Sequence, residues 1–85
     1  MTAIIEPGVA ELDVHRLYDE MDRLDADILA AVLQRTELAR RIATARVDAG
    51  SPRVTHAHDL DVIRRYTAEL GGSGTALAMS LLRLR

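Results

Sequence analysis

Between Leu17 and Ala45 the chain repeats apolar residues at alternating steps of four and three: Leu17, Met21, Leu24, Ile28, Ala31, Leu38, Ile42 and Ala45. Steps of that size return a side chain to one side of an α-helix, so this stretch predicts a single long helix with a narrow apolar seam. At the missing beat stands Arg35. A guanidinium set into such a seam loses several kcal/mol of hydration unless an anion meets it. Either a carboxylate of the protein supplies that anion or a ligand does.

Eighty-five residues make one domain, and a domain this small buries too little surface to be generously stable alone. Association is the expected remedy. Hydrophobic residues form 48% of the chain but aromatics only 2%, with neither Phe nor Trp, so the core is built from aliphatic side chains in the manner of a helical bundle. The absence of cysteine rules out a disulfide framework and a thiolate metal site, and points to the cytoplasm. No run is long and apolar enough for a membrane span, and the N-terminus lacks the pattern of an export signal. A net charge of −2 argues against nucleic acid as a partner.

Along the chain, residues 1–11 read as a loose leader and residues 12–85 as a single helical domain. Asp13 is the expected N-cap of the first helix, whose early turns carry Asp19, Glu20, Asp22, Asp25 and Asp27. That helix runs to a stop at Gly50-Ser51-Pro52, and its ~54 Å of length needs another chain to cover it. A second helix, capped by Thr55 or Asp59, carries Leu60, Ile63, Thr67 and Leu70. The glycine-rich run 71–74 breaks it, and a third helix starts near Thr75. The expected architecture is all-α: one long helix, two short ones and a second copy of the chain.

Arg46 lies three turns beyond Arg35, ~16 Å along the axis and nearly in line with it, with Ala39 and Ala43 between them. Two planar guanidinium forks bracketing a floor of methyl groups suit a small molecule with separated carboxylates. A plainer account also fits: surface arginines on a long helix that happen to meet the seam. The pairs Arg40-Arg41 and Arg64-Arg65 read as solvated faces or ion pairs with nearby acids. His15, His56 and His58 have no spacing that supports a metal site.

The run MDRLDADILAAVLQRTELARRIATAR, residues 21–46, resembles the first helix of the all-helical chorismate mutases. The marks of the resemblance are Met21, Leu24-Asp25, Ile28-Leu29, Val32-Leu33, Arg35 and Arg46, and the segment VIRRY at 62–66 adds to them. The likeness covers roughly residues 12–85 and is strongest to the short actinobacterial members. It implies an intertwined helical homodimer that rearranges chorismate to prephenate with no metal or cofactor. Carried over by position, Arg35 holds one substrate carboxylate, Arg46 contacts the other and the ether oxygen, and Thr55 and Asp59 lie near the substrate hydroxyl.

Three positions depart from the family pattern. Tyr18 stands where the second copy normally donates an arginine, His58 where another arginine precedes the acid of the second helix, and Asp59 where that acid is Glu. On its own, Tyr18 reads as an interface residue with a wet hydroxyl. The resemblance also implies an activating partner, the first enzyme of the shikimate pathway. The segment at 81–85 stops short of the Gly-rich tail that contributes to that activation in the small members. Two further readings stand beside the mutase. One is a specialised homologue acting on an amino-substituted chorismate or on isochorismate. The other is a helical dimer with a regulatory or scaffolding role, in which Arg35 pairs with a protein carboxylate.

Overall fold

The computed structural model describes residues 7–48 and 56–85, and within them every element is an α-helix: α1 (Pro7–Asp48), α2 (His56–Leu70) and α3 (Gly72–Arg83). The three-helix, all-α expectation holds. The Gly50-Ser51-Pro52 stop and Thr55 lie outside the described residues. None of the described helices is long and apolar enough to cross a membrane.

α1 starts earlier than the sequence reading placed it. Pro7 is its first residue, so Asp13 sits inside the helix and caps nothing, and Pro7–Glu11 are helical where a leader was expected. Proline is well suited to a first helical position, because its fixed φ matches the helix and its missing N–H would have had no partner there. The residues that follow have no further proline to stop the helix.

The chain divides into two units, Met1–Ala31 and Val32–Arg85. In the first, every described side chain from Ala10 to Ala31 is exposed, the seam residues Leu17, Met21, Leu24 and Ile28 among them. The second unit contains the rest of α1 with α2 and α3, and its buried apolar residues are Val62, Ala78 and Leu81.

α2 and α3 pack on each other across a joint of one residue. Gly71 takes φ 70°, a left-handed conformation natural to glycine. Its N–H closes the last turn of α2 on the Thr67 carbonyl at 2.8 Å, while its own carbonyl accepts from the N–H of Gly74 at 2.9 Å. Gly72, Ser73 and Gly74 therefore belong to α3, which starts ahead of Thr75. Gly74 is buried. A Cβ there would lie 2.6 Å from the carbonyl carbon of Tyr66 and 2.9 Å from Cβ of Leu70, so the close approach of the two helices depends on the missing side chain. The Thr67 and Thr75 hydroxyls hydrogen-bond to each other across the same interface.

Candidate functional site: a cationic cavity between three helices

Within the second unit, residues of the three helices line a cleft open to solvent, with a volume of about 650 Å³, within the range of small-molecule sites. α1 contributes Arg35, Ala39, Ala43 and Arg46, with Leu38 and Ile42 beside them. This is the face read from the spacing: two guanidinium groups three turns apart over a floor of small side chains. α2 contributes His58, Asp59, Val62 and Arg65, and the end of α3 adds Leu82 and Arg85. Among the described residues four arginines thus face one aspartate, a balance that favours an anion with more than one negative group.

Arg35 is half-buried, and its Nη1 donates to the carbonyl oxygen of Leu81 at 3.3 Å. Leu81 lies in the last turn of α3, where carbonyls lack an onward helical partner and carry the negative end of the helix dipole. The same oxygen accepts from the N–H of Leu84 at 3.1 Å. A carbonyl orients a guanidinium without neutralising it. Among the described residues no carboxylate forms an ion pair with Arg35, so its formal charge remains available to a ligand in the adjoining cavity.

Of the other expected site residues, Arg46, His58 and Asp59 line the same cavity. Arg46 and Asp59 are half-buried and His58 is exposed. Tyr18 belongs to the first unit, is exposed, and is not among the lining residues. The ion-pair reading holds for Arg40, 3.5 Å from Glu37, and for Arg64, 3.2 Å from Asp61. Arg65 fits the other half of that reading, since it is exposed and forms no ion pair among the described residues, and it also lines the cavity. The signal for Arg65 was in the sequence: His58, Val62 and Arg65 step by four and three, whereas Arg64 lies ~100° away round the helix. Arg85 was missed because nothing local ties the end of α3 to α1.

No protein-family model matches the chain. It is 46% identical to an intracellular chorismate mutase of Mycolicibacterium smegmatis over 77 residues, covering 91% of this chain and 72% of that protein. It is 47% identical to the protein of the same name from Mycobacterium bovis over 76 residues, covering 89% and 70%. Among solved structures it resembles a chain in the non-covalent complex of DAHP synthase and chorismate mutase from Corynebacterium glutamicum with a bound transition state analogue. That match has a TM-score of 0.82 and 33% identity, and covers 89% of this chain and 92% of the other.

Proposed function

The chain belongs to the chorismate mutase family, and we propose that it isomerises chorismate to prephenate in the cavity of Val32–Arg85, working as a homodimer. The reaction breaks one C–O bond and makes one C–C bond inside a single molecule, so the protein has no proton to move and no intermediate to hold. What it contributes is shape and charge.

Arg35 holds one substrate carboxylate, its fork already oriented by the Leu81 carbonyl. Arg46 serves the second carboxylate and the ether oxygen, where negative charge builds as the C–O bond lengthens. Asp59 accepts a hydrogen bond from the substrate hydroxyl and His58 donates from the start of α2, with Thr55 assigned to the same neighbourhood from sequence. The apolar side chains Leu38, Ile42, Val62 and Leu82 confine the substrate to its compact diaxial conformer and thin out the water that would weaken these contacts. Tyr18 is assigned to the interface between copies. The solved relative's complex with DAHP synthase supports a partner of the same class for this chain.

The observation that carries this reading is the charge of Arg35, bonded to a backbone carbonyl and bordering a cavity that also holds Arg46. Purified protein is expected to consume chorismate, followed by its ultraviolet absorbance, and to yield prephenate on chromatography. Arg46→Ala is expected to lower kcat by about 10²–10³, the usual loss for a preorganised donor, and Arg35→Ala to lower kcat/KM similarly. Full activity in either variant, or no loss of chorismate with the wild type, refutes the assignment.

A further inference from the structure

The cavity holds more positive charge than Arg35 and Arg46 account for. On α2, His58, Val62 and Arg65 all line it, which sets Arg65 on the His58 face about two turns, or ~10 Å, further along the helix. Its sequence neighbour Arg64 is held by Asp61 one turn back. Arg65 has acids at the same favourable helical spacing, Asp61 four residues before it and Glu69 four after. Among the described residues it nevertheless forms no ion pair. With Asp61 already taken by Arg64, a guanidinium that leaves Glu69 unengaged and borders a concave, cationic wall is placed for an anion from outside the chain.

We propose that Arg65 is a substrate-binding residue, a third guanidinium that grips the carboxylate on the α2 side, so that Arg46 serves the ether oxygen. This rests on the cavity being the chorismate site. In that site Arg46 otherwise serves two acceptors with one planar fork, and the group at the head of α2 is His58, where the family pattern has an arginine. The division of labour has a kinetic signature. A carboxylate is charged in the ground state and the transition state alike, so a cation bound to it contributes to both, and its loss appears in KM. The ether oxygen gains charge only in the transition state, so loss of its donor appears in kcat.

Arg65→Gln, which keeps a polar, helix-compatible side chain but shortens it and removes the charge, is compared with Arg64→Gln and Arg65→Lys. Kinetics are measured on chorismate and binding on prephenate, by calorimetry. Arg65→Gln is expected to weaken prephenate binding and raise KM by about tenfold or more, with kcat within about threefold, as for loss of a hydrogen bond to a charged group. Arg65→Lys is expected to recover part of the loss, and Arg64→Gln to bind as the wild type does. Unchanged binding in Arg65→Gln overturns the proposal, and so does an equal loss in Arg64→Gln, which would mark a diffuse charge effect. So does a fall confined to kcat. A wild type that binds prephenate through Arg65 but leaves chorismate intact would sink the proposed activity while upholding the role given to Arg65.

Discussion

Among the described residues Asp59 is the single carboxylate whose side chain lines the cavity, and it stands in the first turn of α2. Two effects follow from one charge. Its negative charge complements the positive end of the α2 dipole, worth about 0.3–1 kcal/mol. The same charge repels a dianionic substrate while accepting from its hydroxyl. Asp59→Asn is expected to lower the melting temperature slightly and to reduce kcat about tenfold or more, the value of a hydrogen bond to a charged acceptor, without raising KM. Melting curves and initial rates on chorismate test this, and a rise in KM with kcat intact would contradict the role given to Asp59. At this scale the sequence was readable where a residue broke a local pattern. Arg35 announced itself by interrupting a seam, and Arg46 by falling in line with it. The group that orients Arg35 was not readable, because the Leu81 carbonyl is 46 residues away and backbone atoms leave no mark in a side-chain pattern.

Among the elements, the junction of α2 and α3 shows how one composition signal covers several physical jobs. The glycine-rich run 71–74 reads as a break, and a break is what Gly71 provides with its φ of 70°. Gly74 does the opposite: it stays helical and lets α3 lie against the Tyr66 carbonyl. Gly72 does neither, having nothing within 4 Å of where a Cβ would stand. Alanine at each position therefore has a different expected outcome. Gly72→Ala is expected to stabilise by about 0.4–1 kcal/mol, through the unfolded chain. Gly71→Ala is expected to cost about 1–3 kcal/mol, because φ 70° with ψ −149° is a backbone conformation open essentially to glycine alone. Gly74→Ala is expected to cost about 1–3 kcal/mol or more, since the obstruction is backbone and only a shift of α3 relieves it. Thermal denaturation of the three variants ranks them, and a Gly74→Ala protein as stable as the wild type would refute the close packing. The helices themselves were legible because apolar periodicity is local. Their starting points were not, since they depend on whether a given Pro or Gly is tolerated, and packing decides that.

For the whole molecule the governing fact is how little a lone chain covers. Of the large apolar side chains in the described residues only Val62 and Leu81 are buried, while Leu17, Met21, Leu24 and Ile28 stand 56–63% exposed along one seam of α1. A seam with the four-three repeat of interlocking helices, left in water, is the expected place for a second copy. The homodimer belongs to the proposed function, and it ties stability to concentration. If folding and association are one event, each tenfold dilution removes about 1.4 kcal/mol per mole of dimer, so the melting temperature falls as the protein is diluted. Leu24→Glu places a charge in the seam and is expected to give monomers by light scattering, to lower helicity, and to abolish chorismate turnover although Leu24 does not line the cavity. Leu33→Lys is the control. Leu33 is more exposed still, at 71%, but lies ~200° round the helix from both Ala31 and Arg35 and so off the seam. It is expected to leave assembly and turnover as they are. A monomeric wild type whose melting temperature ignores dilution, or a dimer indifferent to Leu24→Glu, would mean that the seam serves another purpose and that the cavity works without a second copy.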